Sequence, residues 1–294
     1  MMVEQFLNYL RYERNLSELT AQNYAKDLAA FEQYFKGLDN HLSWESIDSD
    51  IIRDWMESMM DKGNTATSIS RRLSALRSFY RFALARELVE RDPAHGIAAP
   101  KKSKPLPQFV RENEMDRLLD TAEWWTENYD DVRARTILLT FYETGVRLSE
   151  LIGLDDEAVD MAAHQLKVTG KRNKQRIIPF GDELERALSE YQTLRNKQVN
   201  RQTTAFFVTK KGERMKPDQV RREVQKNLAK VTTLKKRSPH VLRHSFATAM
   251  LNHEAGLESV KKLLGHASVA TTEIYTHTTF EQLKRIYKQA HPRA

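Results

Sequence analysis

Four separated stretches of this chain carry side chains able to grip an anion or move a proton. Arg147 lies in Thr144-Gly145-Val146-Arg147-Leu148-Ser149-Glu150-Leu151, read as a turn between two helices. Glu150, three positions on, is close enough on a helix to hold the guanidinium in place. Lys171 falls at the tip of an expected hairpin. His240-Val241-Leu242-Arg243-His244 puts His240, Arg243 and His244 on one helix face. Leu264-Gly265-His266, with Gly265 suited to a helix C-cap, is followed nine positions later by Tyr275. Guanidinium forks bind phosphate bidentately, and a phenol is a potential nucleophile. Taken singly, each feature has an ordinary explanation: a surface ion pair, a solvated lysine, a packing tyrosine, a capping histidine. The pair His240 and His244 raises the question of a metal, but the glutamate of an HExxH pattern is missing. The chain also has no cysteine. We therefore expect no metal site and no cofactor.

These residues must be positioned by a largely helical scaffold. Of 294 residues only 10 are Gly and 8 Pro, and 40% are hydrophobic against 30% charged, a globular and helix-rich composition. No apolar run approaches the ~20 residues needed to cross a bilayer, and the amphipathic start is not a secretory signal. Together with the missing cysteines this predicts a cytoplasmic protein without a membrane partner. The net charge of +7 suits a polyanionic partner, and its distribution says more: residues 1–100 are net −3 and the remainder net +10. One N-terminal stretch runs against the trend, with Arg71, Arg72, Arg77, Arg81, Arg86 and Arg91 facing only Glu87 and Glu90.

Periodicity predicts four helices in residues 1–97, on the stripes Val3/Phe6/Leu7/Leu10, Tyr24/Leu28/Phe31/Phe35, Ile51/Ile52/Trp55/Met56/Met59 and Ile69/Leu73/Leu76/Tyr80/Ala83. Ser17 or Thr20 is expected to cap the second. Residues 98–108, with three prolines and three lysines, read as an extended basic linker. A second domain is expected over 109–294. Its first helix is capped by Asn113, and another helix runs from Ile137 to Gly145. Strands are expected at Gln165–Val168 and Arg176–Phe180, a helix near 182–198, a short strand at Phe206–Thr209, and helices over most of 217–290. Phe280, Leu283, Ile286 and Tyr287 have helical spacing, so the segment from about 280 either packs on its own domain or docks on a neighbour.

As a set, the separated features resemble the tyrosine recombinase (phage integrase) family, whose signature is Arg, Lys, His-x-x-Arg, His/Trp and Tyr in that order. Here the slots are filled by Arg147, Lys171, His240, Arg243, His266 and Tyr275, within the strings TGVRLSEL, HVLRHSFAT, LLGH and IYTH. SISRRLSALRSFYRFA looks like the family's core-DNA-binding helix, and the layout is most similar to Xer-type (XerC/XerD-type) recombinases. The resemblance covers nearly the whole chain. It implies a mainly α fold: an N-terminal SAM-like helical bundle, and an α-rich catalytic domain with a small antiparallel sheet, the DNA breaking-rejoining fold. It also implies a C-terminal exchange tail and partners comprising double-stranded DNA and other recombinase protomers, in a homo- or hetero-tetramer gripping DNA as a C-shaped clamp.

The chemistry fits those residue types. Tyr275 would attack phosphorus, with His240 or the cationic surroundings drawing off a proton whose ordinary pKa is ≈ 10. Arg147 and Arg243 would clamp the non-bridging oxygens, His266 would add a third hydrogen bond, and Lys171 would protonate the departing 5′ oxygen. The resemblance assigns the same roles, with a 3′-phosphotyrosine intermediate that makes strand exchange independent of metal and ATP. Candidate DNA contacts are Arg71, Arg72, Arg77 and Arg81 on the N-terminal helix and Arg221, Arg222 and Lys226 on a helix beginning near Pro217. The compact layout favours resolution of chromosome dimers at cell division. The rival readings are an integrase of a mobile element, a type IB topoisomerase-like relaxing enzyme, and a DNA-binding accessory protein without chemistry.

Overall fold

The computed structural model describes residues 1–101, 108–170, 173–265 and 277–294. The chain divides into two compact units, Met1–Pro105 and Leu106–Ala294. Among the described residues no helix is long and apolar enough to cross a membrane.

The first unit contains α1 (Met2–Asn8), α2 (Glu18–Leu38), α3 (Ser49–Asp61) and α4 (Ala66–Ala85). The stripe read on the first helix runs past α1 into a single π-helical turn, Tyr9–Glu13. Ser17 is the cap of α2, accepting from the Thr20 N–H at 3.3 Å. Asp48 and Thr65 cap α3 and α4 in the same way. The expected apolar stripes converge on an aromatic core, where Phe6 meets Phe79 edge-on and Phe31 packs on Phe35, Trp44 and Trp55. The Tyr80 hydroxyl, fully buried, donates to the Trp44 carbonyl at 3.1 Å, so its polar end costs little.

The second unit opens with α5 (Glu112–Asp120). Its start differs from expectation: Arg111, not Asn113, is the capping residue, because the Glu114 carboxylate reaches back to the Arg111 N–H at 2.9 Å. Next come α6 (Tyr129–Thr144) and the short α7 (Leu148–Ile152). Strands β1 (Val159–Asp160), β2 (Gln165–Thr169) and β3 (Gln175–Pro179) form an antiparallel sheet in the order β1-β2-β3, with Leu166 opposite Ile178 and Val168 opposite Arg176. The expected strand at Phe206–Thr209 is reduced to one bridge between Val208 and Arg214. Phe206 and Phe207 are instead buried against Tyr191, where packing rather than a ladder fixes the segment. Helices α8 (Asp182–Gln198), α9 (Pro217–Leu228), α10 (Pro239–Asn252), α11 (Leu257–Leu264) and α12 (His277–Ala290) complete the unit. Helix α6 is buried on nearly every side and forms its centre.

Helix α12 packs on its own unit, with Leu283, Tyr287 and Ala290 buried. The Tyr287 hydroxyl donates to Glu143 at 3.0 Å, and the Gly181 N–H reaches the same carboxyl oxygen at 3.1 Å. Burial outweighs these contacts and pushes Glu143 up to about 8. The His291 ring stacks between Tyr287 and Phe246, donates through Nε2 to the Tyr142 carbonyl and accepts the Arg293 N–H at Nδ1. That arrangement requires the neutral ring, and burial drives its pKa down to about 3. Arg293 then ties the tail to Glu183, Asp116 and Asp120.

Glu143 and His291 give tail packing a defined pH response. The raised Glu143 stabilises the packed tail most below its ordinary value of 4.5, and that stability is lost as pH climbs towards 8. The depressed His291 contributes above 6.5 and loses its contribution as pH falls towards 3. Between 4.5 and 6.5 the two slopes oppose. Hydrogen-exchange protection of the 283–290 amides, corrected for intrinsic rates, should therefore be higher at about pH 5.5 than at about pH 8. Glu143→Gln should flatten that difference; equal protection in the unaltered protein would rule out a buried, protonated Glu143.

Candidate active site

The site is organised by two glycines that end helices in the left-handed conformation. Gly145 closes α6 at φ 59° and Gly265 closes α11 at φ 64°, a geometry that strains any residue with a Cβ. At Gly145 a Cβ would also run into the Phe246 ring and Leu264. The chain can thus turn sharply from α6 and present Arg147 as the N-terminal cap of α7.

Glu150 is the anchor. Its side chain is fully buried, and its carboxylate accepts from the Arg147 N–H at 2.7 Å and from Arg147 Nη1 at 2.7 Å. It also receives a fork from Arg176, Nη1 at 2.6 Å and Nη2 at 2.9 Å. Burial alone would raise its pKa, but the Arg176 and Arg147 contacts overcome that and hold it at about 2. The carboxylate is therefore charged throughout the neutral range.

Arg147 and Arg243 meet at the C-terminal end of α11. Arg147 Nη2 donates to the Gly265 carbonyl at 2.9 Å, and Arg243 Nη2 donates to the neighbouring Leu264 carbonyl at 2.6 Å. Arg243 Nη1 also donates to the Gly145 carbonyl. Arg243 is buried, and burial together with the charges of Arg147 and Arg176 lowers its pKa to about 10, which leaves it cationic at neutral pH. The Arg147 side chain keeps 34% of its surface exposed.

His240 and His244 lie on the solvent side of α10, one turn apart, with Arg243 between them turned inward. Packing around the His240 ring, then the positive charges of Arg243, His244, Arg147 and Arg221, push its pKa below the ordinary value. It is neutral near pH 7 and able to accept a proton. Lys171, His266 and Tyr275 lie outside the described residues. Gly170, immediately before Lys171, sits against the anchor: a Cβ there would lie 3.2 Å from Glu150 Oε1.

The candidate DNA contacts differ in how free they are. On α9, Arg221, Arg222 and Lys226 are all exposed, and Arg221 pairs with exposed Asp218, an interaction of little strength. On α4, Arg71 pairs with the buried carboxylate of Asp27, Arg72 Nη1 points at the Met59 sulfur and Arg77 donates to the Ile97 carbonyl. Arg81 is exposed. The first three thus also hold the helical bundle together.

Sequence reasoning missed Arg176. The signal was present in the alternation of β3, where Arg176 is in phase with Ile178 and therefore points inward.

Two guanidinium groups from distant segments, Arg147 and Arg243, thus meet at the end of one helix in an α-rich unit, and a buried carboxylate holds the first of them. Residues 108–282 match the phage integrase family, and residues 3–87 match the family's N-terminal SAM-like domain. The chain is 37% identical over 302 residues to tyrosine recombinase XerC of Pelotomaculum thermopropionicum, covering 99% of this chain and 98% of the relative. It is 36% identical over 296 residues to tyrosine recombinase XerD of Oceanobacillus iheyensis, covering 99% and 98%. The fold is also similar to that of XerH site-specific recombinase bound to a palindromic difH substrate in a post-cleavage complex, with a TM-score of 0.72, 22% identity and coverage of 96% and 83%. The chain belongs to the phage integrase family of tyrosine recombinases.

The His240 environment can be checked by following its ring protons through a pH titration. Its midpoint should fall below 6.5, and Arg221→Ala should raise it by removing a neighbouring positive charge. A midpoint at or above the ordinary value would contradict the cationic surroundings.

Proposed function

We propose that this chain is a site-specific recombinase that cuts and rejoins duplex DNA through a 3′-phosphotyrosine on Tyr275, and that it resolves chromosome dimers at cell division in the cytoplasm. The observation that carries the chemistry is the convergence of Arg147 and Arg243 on the adjacent carbonyls of Gly265 and Leu264. Phosphodiester cleavage needs fixed positive charge around the two non-bridging oxygens, and guanidinium forks supply it without proton loss. The whole-length likeness to XerC and XerD relatives supports the cellular role.

In the proposed reaction the Tyr275 oxygen attacks phosphorus, while neutral His240 or the surrounding cationic field assists loss of the phenol proton. The bond to the 5′ oxygen breaks, and Lys171 donates a proton to that oxygen. Arg147, Arg243 and His266 hold the non-bridging oxygens throughout. A free 5′ hydroxyl of the exchanged strand then attacks the phosphotyrosine, restoring the diester and the phenol. Each bond broken is replaced by another ester, so the cycle needs no external energy source. The exposed basic face of α9, in the domain at 109–294, and the exposed Arg81, in the domain at 1–97, are the proposed grip on the duplex. The pocket that holds Tyr287 and His291 would accept the same tail from a neighbouring protomer in the assembled tetramer.

A duplex site recovered by binding selection from a randomised pool, then nicked beside the cleavage position, provides the test. Denaturing electrophoresis should show a covalent adduct that Tyr275→Phe abolishes while duplex binding persists. Arg147→Ala should slow adduct formation by about 100- to 1,000-fold with binding largely kept. An adduct that survives Tyr275→Phe would refute the mechanism. Exchange between chromosome-borne copies of the site would support dimer resolution, whereas exchange restricted to mobile-element ends would favour integration.

A further inference from the structure

We propose that Arg176 is a positioning residue for the reaction, holding Arg147 on the scissile phosphate by sharing the negative charge of Glu150 and by tying three active-site segments together. The inference rests on the recombinase reading above. Arg176 is turned away from solvent, its side chain only 6% exposed. All three of its donor nitrogens are engaged internally: the Nη pair grips Glu150, and Nε donates to the Leu263 carbonyl at 2.9 Å.

Those contacts join the segments that lead into three of the proposed catalytic residues. Glu150 orients Arg147 through both its backbone N–H and its Nη1. Leu263 lies in the last turn of α11 and Gly265 closes that helix just before His266, and a Cβ at Gly265 would come within 3.0 Å of Arg176 Cδ and 3.1 Å of Nη1. The arginine therefore lies directly against that turn. Gly170, which precedes Lys171, packs on the Glu150 oxygen that Arg176 holds. A lysine cannot replace this fork, because one ammonium cannot span both carboxylate oxygens and a carbonyl in a fixed plane.

Charge adds a second effect. With Arg176 absent, Arg147 alone would neutralise a buried carboxylate, and that attraction would compete with the phosphate for its guanidinium. Arg176 leaves Arg147 with positive charge to spare.

The test compares single-turnover adduct formation by the full chain on the nicked duplex described above, with the scissile position either a normal phosphodiester or an uncharged methylphosphonate. Arg176→Lys should slow adduct formation on the diester by about 100-fold through misplacement of Arg147. The final adduct yield and duplex binding should be nearly unchanged. On the methylphosphonate, which demands less positive charge, the ratio of variant to unaltered rates should move back towards one. A purely structural lesion would lower the yield equally on both substrates. If Arg176→Lys does not fold, Arg176→Gln, which keeps Glu150 and a donor towards it, carries the same comparison. Wild-type rates, or equal slowing on both substrates, would overturn the proposal. Failure of the unaltered protein to form any adduct would instead overturn the recombinase reading, and this inference with it.

Discussion

The catalytic unit is built around a carboxylate that water cannot reach. A buried, ionised Glu150 would be costly by several kcal/mol if left alone, and the surrounding structure exists in large part to satisfy it. Four hydrogen bonds from two arginines do so. Because those arginines come from the start of α7 and from β3, satisfying one charge fixes the sheet against the helix that follows Gly145. The same arginines reach on to the C-terminal end of α11, so the geometry around the proposed phosphate site follows from the solution to a desolvation problem.

A second buried polar cluster sits at the same, C-terminal end of α6, around Glu143. Glu143, Tyr287 and His291 are all removed from water, but here the neutral forms are favoured, the reverse of Glu150. The difference lies in the partners. Glu143 is offered a hydroxyl and a backbone N–H, whereas Glu150 is offered two permanent cations. One helix neighbourhood therefore contains carboxyl groups of the same type with opposite protonation at neutral pH. The first anchors a fixed site, and the second fastens a terminal segment whose packing is sensitive to proton uptake and release.

Much of this architecture could be read from residue patterns. The apolar stripes at 28/31/35 and 69/73/76/80 converge in one core because a 3.6-residue repeat leaves a long helix few ways to hide its face. Gly145 and Gly265 were legible as helix ends, and His240 and Arg243 as occupants of one helix. Other features depended on partners far away in the chain. Arg111 outcompeted Asn113 as a cap because Glu114 happened to reach back. Phe206 and Phe207 looked like strand residues but are held by Tyr191, a contact no local window contains. Arg176 was hidden by its own strand, since an inward-facing arginine is explained only by knowing that Glu150 waits opposite.

The three arginines and Glu150 together carry two net positive charges, with Arg243 still protonated despite its lowered pKa. A DNA diester brings a single negative charge, while the five-coordinate phosphorus formed by phenolate attack carries two. On the proposed chemistry, then, this quartet is electrically matched to the fleeting species rather than to the resting strand, and an environment of that kind accelerates a reaction without holding its substrate too tightly.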